Sequence, residues 1–131
     1  MRVEVTRAVL AALRAEARAA QPFECCGLLM GEGETVTRAV PCANVAADPL
    51  RHFEIDPATL IAAHRAERDG GARVVGYYHS HPSGPAEPSA TDRASAAYDG
   101  RVWAIVAGET VALWRDAAAG FEPLSCTAID G

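Results

Sequence analysis

The spacing of apolar positions changes character several times along the chain, and each change marks an element. Val3 and Val5 alternate with polar neighbours as in a short strand. Thr6 then stands ahead of a run, Arg7 to Ala20, whose Ala, Leu, Arg and Glu content favours helix. Gln21-Pro22 ends that helix, because the residue before a proline is pushed out of the helical region. Glu24 to Met30 is a compact apolar run bounded by Pro22 and by Gly31-Glu32-Gly33. It predicts a buried strand, with Glu24 at its start, turning into a second strand over Thr35 to Pro41. Residues 42 to 51 read as loop, Phe53 to Ile55 as a strand, and Pro57 opens a helix to about Arg68 that Asp69-Gly70-Gly71 stops. Arg73 to His81 is apolar on both faces, the pattern of a central strand. The prolines at 82, 85 and 88 make a stiff loop before a helix beginning near Ser89. Arg101 to Ala107 and Thr110 to Arg115 follow as strands joined at Gly108-Glu109, and Phe121 to Ile129 as the last one. Strands interleaved with helices, with hairpins at both ends, predict an α/β fold in which helices lie against the faces of a mixed β-sheet.

Length and composition narrow this further. A chain of 131 residues predicts one domain, 1–131, able to bury roughly two thirds of its unfolded surface. No apolar run approaches the roughly 20 residues a membrane span needs, and Met1-Arg2-Val3-Glu4-Val5 does not begin like a secretory signal, so a cytoplasmic protein without a membrane partner is expected. The net charge is −5, the arginines are scattered and lysine is absent. Nucleic-acid binding draws most of its affinity from clustered Lys and Arg, so that class is not expected. Cys25, Cys26, Cys42 and Cys126 form no Cys-x-x-Cys pair and read as small apolar residues of a reducing compartment. Cys26 would share the face of Glu24 one pleat further along, which leaves open a redox-sensitive thiol beside the site described next.

Residues 79 to 92 read His-Ser-His-Pro-Ser-Gly-Pro-Ala-Glu-Pro-Ser-Ala-Thr-Asp. Side chains two apart on a strand share a face, so His79 and His81 project together with Cα atoms about 6.6 Å apart. Two imidazoles on one face can share a zinc ion, and catalytic zinc takes three protein ligands and leaves a fourth position to water. Asp92 is the natural third ligand. His52, in a polar loop, and His64, inside the Pro57 to Arg68 helix, lack any such partner.

Each of these residues also has a plainer reading. Ser89-Ala90-Thr91-Asp92 fits a helix start in which the serine caps the backbone and the acid reaches back. A carboxylate that binds metal is then not free for the cap, and a hydroxyl spent on the cap is poorly placed for an oxyanion. Asp92 is also a first-turn acid suited to the helix dipole. Glu24 in an apolar run is costly to bury as a lone anion and needs a partner or a raised pKa. A metal-site water supplies such a partner, and the two histidines favour the catalytic reading over the capping one.

His79-x-His81, seven residues, Ser89, two residues and Asp92, with Glu24 upstream in Pro22-Phe23-Glu24-Cys25-Cys26-Gly27, resemble the signature of the JAMM (MPN+) zinc metallopeptidases. His52-Phe53-Glu54-Ile55-Asp56-Pro57 also resembles that family's central strand leading into a helix. The resemblance implies a cytidine-deaminase-like, three-layer JAB1/MPN domain. It implies His79, His81 and Asp92 as zinc ligands, Glu24 as general base and Ser89 as oxyanion donor. It also implies a substrate: a β-grasp, ubiquitin-like or sulfur-carrier protein, cut at a peptide or isopeptide bond after its C-terminal Gly-Gly tail. Such an enzyme either trims residues beyond the tail or releases an amino acid such as cysteine. An extended glycine tail would add as a strand at the strand end beside the proline loop, and polyubiquitin would be cut poorly. The acceptors that would orient the histidines are not identified by the sequence, with Glu54 and Asp56 as candidates. Three other functions compete with this one. A zinc nucleobase deaminase lacks its cysteine signature here. A RadC-like DNA-repair protein shares the His-x-His-Pro-Ser-Gly segment, and a non-catalytic MPN scaffold would have lost the metal. The oligomeric state and any activating partner are not legible.

Overall fold

The computed structural model describes residues 2–131. Its elements are β1 (Arg2–Thr6), α1 (Arg7–Ala20), β2 (Cys26–Glu32), β3 (Thr35–Cys42), α2 (Pro57–Arg68), β4 (Arg73–Ser80), α3 (Ala90–Ser95), β5 (Val102–Ala107), β6 (Thr110–Ala117) and β7 (Gly120–Ile129). The Thr6 hydroxyl accepts from the Val9 N–H at 3.2 Å and so starts α1 as its sequence position predicts. Among the described residues no helix is long and apolar enough to cross a membrane.

The expected mixed sheet with helices on it is present, but it does not lie open between helical layers. The strand order is β1-β3-β2-β4-β5-β6-β7, and β7 pairs in parallel with β1 from Arg2↔Ser125 to Thr6↔Ile129, which closes the ring. β4 is central, as expected, with β2 antiparallel on one side and β5 parallel on the other. Both its edges are occupied from Gly76 to His79, the end that carries the histidines, so a peptide tail does not add to β4 there as a further strand. β3 runs past its β1 neighbour beyond Val36, where β1 pairing stops. It lies two strands away from β4.

Two apolar clusters occupy the two faces of the sheet. Val9, Leu10, Leu13 and Ala17 of α1 pack with Val3, Val5, Leu29, Val75, Tyr78, Val102 and Val106. On the opposite face Cys26, Leu28, Met30, Ile55 and Val74 pack with Phe53, Leu60, Ala63 and Tyr77, which brings α2 against the sheet. Val74 and Val75 face opposite ways as a strand requires, yet Tyr77 falls with Val74 and Tyr78 with Val75. A bulge explains the change of phase: Met30 pairs with Val74 but Leu29 with Gly76, leaving Val75 unmatched. The extra residue turns His79 to the α2 face. Two glycines are needed for close approach: a Cβ at Gly76 would collide with the Val102 carbonyl, and one at Gly27 with the Val40 carbonyl and the Tyr78 ring.

Three expected boundaries change. β2 begins at Cys26, so Glu24 lies in the connecting segment before it. Phe53 to Ile55 is not a strand, because its polar groups are taken by a loop and a single Asn44↔Ile55 bridge remains. β4 ends at Ser80, which puts His81 one residue past the strand, although its N–H still continues the ladder to the Val106 carbonyl at 2.8 Å.

Candidate metal centre

β4 and α3 together bring His79, His81 and Asp92 to one point. His79 Nε2, His81 Nε2 and Asp92 Oδ2 form a triangle whose three sides are all 3.1 Å. Zinc bound by imidazole nitrogen and carboxylate oxygen at about 2.0 to 2.2 Å holds tetrahedral ligands about 3.3 Å or slightly more apart. The triangle need open by only a few tenths of an ångström, and its nitrogen and oxygen donors suit that ion.

Each corner is held differently. The His81 Nδ1–H donates to the Pro85 carbonyl at 2.8 Å, which fixes the tautomer and leaves Nε2 bare for a metal. His79 is fully buried, with the Phe53 ring stacked on it at 4.2 Å and Trp103 edge-on at 5.7 Å, and its Nδ1 has no partner. Burial lowers the His79 pKa in spite of Asp92. Burial works the same way on His81, but the hydrogen bonds to Asp92 and to the Pro85 carbonyl outweigh it and raise its pKa. Asp92 is buried too, yet the two histidines hold its carboxyl well below the usual carboxylate range. Neither Glu54 nor Asp56 is an acceptor for the rings: Asp56 takes the Thr59 hydroxyl at 3.0 Å, and Glu54 donates its backbone N–H to Asn44. His64 bonds Tyr77 on the α2 side, and His52 stays in its loop.

The competition expected between capping and ligation does not arise. The Ser89 Oγ accepts the Asp92 N–H at 3.0 Å, and Asp92 Oδ2, the same atom that faces both histidines, accepts the Ser89 N–H at 2.9 Å. A carboxylate oxygen has lone pairs for both tasks, and a hydroxyl that accepts still has its own proton to donate. The cap therefore aims Asp92 rather than diverting it.

Glu24 stands across a cleft of about 310 Å³ lined also by Leu50, Arg51, His81, Pro85, Glu87 and Ser89. It is 7% exposed, and its Oε1 has no hydrogen-bond partner. Burial pushes its pKa up to about 7, against the pull of His81. An orphaned buried carboxylate oxygen facing three metal donors is what a site for metal and water requires. The Glu24 segment is fastened from three sides. Its N–H donates to the Pro49 carbonyl at 2.9 Å, its carbonyl accepts from the Asn44 amide at 3.0 Å, and the next N–H, of Cys25, donates to the Ser80 hydroxyl at 2.9 Å. Asn44 also binds the His52 carbonyl and the Ala46 and Glu54 N–H groups, so one side chain ties the loop to the Glu24 segment. On the far wall the Trp114 indole N–H donates to the Ala86 carbonyl at 3.1 Å and steadies the proline loop. Asn44, Ser80 and Trp114 carry no signal in the sequence, because each acts on a backbone group distant along the chain. Cys26 is wholly buried, its thiol lies 3.7 Å from the Ala43 carbonyl, and burial raises its pKa to about 12. Buried beside two carbonyls, this thiol packs as a small apolar group.

The comparisons with known proteins agree with this geometry. Residues 6–117 match the family described as prokaryotic homologs of the JAB domain. The desampylase of Haloferax volcanii is 41% identical over 99 residues, which is 74% of this chain and 71% of that protein. A probable TtuB-protein conjugate cleaving protease of Thermus thermophilus is 40% identical over 88 residues, 67% of this chain and 59% of its own. A solution structure of a Desulfitobacterium hafniense protein superposes with a TM-score of 0.84 at 28% identity, covering 100% of this chain and 94% of that one. The chain belongs to the prokaryotic JAB family.

Proposed function

We propose that this protein is a zinc-dependent peptidase that hydrolyses the peptide or isopeptide bond after the C-terminal Gly-Gly tail of a β-grasp, ubiquitin-like or sulfur-carrier protein. The observation that carries the reading is the 3.1 Å triangle of His79, His81 and Asp92, whose His81 lines one cleft with Glu24, a buried carboxylate with no partner for its Oε1 among the described residues. Zinc held by those three residues would supply a Lewis acid and lower the pKa of water toward 7.

The remaining steps belong to the chain itself. Glu24, with a pKa near neutrality, takes a proton from the attacking water and gives it to the departing amine as the C–N bond breaks. Ser89 keeps its hydroxyl proton free while accepting from the Asp92 N–H, and it donates that proton to the developing oxyanion. The stiff loop 82–88 narrows the approach, which glycine passes and a larger residue does not. Because both edges of β4 are taken, the tail finds its backbone partners in the loops beside the cleft rather than in the sheet. The Thermus thermophilus relative is, by name, a probable protease that cleaves TtuB-protein conjugates, which supports a substrate made of one protein joined to another.

The test is to incubate zinc-loaded protein with β-grasp carriers extended beyond Gly-Gly and to weigh the products. The expected product ends at the second glycine, with strong loss when that glycine becomes valine and with polyubiquitin a poor substrate. No zinc-dependent cleavage of any such carrier, or equal cleavage of the valine tail, overturns the reading.

A further inference from the structure

The charge of the cleft is uneven. Glu24, Glu87 and His81 line it, and Arg51 is its one guanidinium among the described residues. That side chain is 79% exposed, and its ion pair is a single 3.3 Å contact to Asp48. Most of its five N–H donors are free for a ligand. A Gly-Gly tail offers no charge for such a group to read, so its ligand lies elsewhere in the substrate.

The position of Arg51 indicates where. Arg51 belongs to the loop fastened to the general base: Pro49 accepts the Glu24 N–H, and Asn44 holds both the Glu24 and His52 carbonyls. Arg51 and Glu24 thus share one wall. Under the reading that Glu24 protonates the leaving amine, the amine departs along that wall. When the leaving group is a single C-terminal residue, its α-carboxylate is only two bonds from the amine nitrogen. When it is a lysine side chain, four methylenes separate the nitrogen from the backbone, where no free carboxylate remains in a protein conjugate. A guanidinium is shaped to take a carboxylate through two parallel N–H bonds.

We propose that Arg51 binds the α-carboxylate of one amino acid attached to the Gly-Gly tail, so that this enzyme favours release of a free amino acid over release of a lysine-linked protein. The inference rests on the proposed peptidase reading and deepens it.

The experiment uses three forms of one β-grasp carrier: Gly-Gly-Ala with a free carboxylate, Gly-Gly-Ala carboxamide, and Gly-Gly joined to the ε-amine of a blocked lysine. The zinc-loaded enzyme should cut the free acid with a kcat/KM about 10- to 100-fold above the other two, the range for a hydrogen-bonded charged pair. Arg51→Gln should bring the acid-to-amide ratio close to one, Arg51→Lys should keep part of it, and zinc content should not change in either. Equal cleavage of acid and amide by the wild type, or a ratio that survives Arg51→Gln, overturns the role of Arg51 and leaves the peptidase standing. No zinc-dependent cleavage of any of the three overturns both.

Discussion

On one side of the site His79, His81 and Asp92 are placed by a sheet ladder and a helix cap, and His81 is the one of them that lines the cleft. On the other, Glu24 stands in a segment without regular structure, held by Pro49, Asn44 and Ser80. The first wall is an array of backbone bonds that secondary structure supplies anyway, so the metal donors come preassembled. The second is a patchwork of side chains reaching foreign backbone. On the proposed reading the metal donors sit on the rigid part and the proton carrier on a fastened but irregular one, where a carboxylate can trade protons without disturbing the ligands.

Substitutions can break that division from either side. The largest effect belongs to the donors: His79→Ala, His81→Ala and Asp92→Ala should each strip zinc and reduce turnover to background, as metal analysis after dialysis and a cleavage assay will show. Full zinc content in any two of them would refute the ligand set. Glu24→Gln should keep zinc yet lose roughly 10²- to 10⁴-fold in turnover, the range for a positioned base. Ser89→Ala acts on both roles of its hydroxyl. Turnover should fall about 10²- to 10³-fold for the lost oxyanion donor, and stability by about 1 kcal/mol for the lost cap, read from kcat and thermal midpoint in the same sample. If stability falls and the rate does not, the hydroxyl serves the helix alone.

The smallest effect concerns pH in the zinc-free chain. Glu24 titrates near 7 when folded and near 4.5 when unfolded, so between those values the unfolded chain gives up its proton first. The cost of burying this carboxylate therefore grows as pH rises from 4.5 to 7 and is constant above. Zinc-free Glu24→Gln should melt a few degrees above the wild type at pH 8 and together with it near pH 4. Melting curves that stay parallel across that range would contradict the burial of an ionisable group at this position.

What could be read from the chain was local, and what could not was distant. The i, i+2 histidines and the Ser89 to Asp92 spacing lie within one strand end and one helical turn, so residue order alone implies their meeting. The helices Arg7–Ala20 and Pro57–Arg68 were equally plain, because capping and termination signals are written at their ends. The bulge at Val75 was hidden, since an apolar run on both faces gives the same pattern in either phase. Phe53 to Ile55 looked like a strand because Phe and Ile favour one. In the fold these residues cover His79 and the α2 face as loop, and Asn44 takes the polar groups a strand partner would have used. The reach of Asn44 to Glu24 could not be inferred from a lone asparagine in a polar loop.

The pairing of β7 with β1 also bears on how the chain comes to be folded. Arg2 and Ser125, or Thr6 and Ile129, are neighbours in the ring although almost the whole chain separates them. Contacts at that separation carry a large loop-closure entropy and slow the search for the native topology. The donors of the triangle lie within residues 79–92, and their strand needs only β2 and β5 beside it, so a nascent site can gather while β1 still lacks its last neighbour. Pairing of β7 with β1 leaves the barrel without a seam there, and the residues of the triangle do not depend on that pairing for their own strand neighbours.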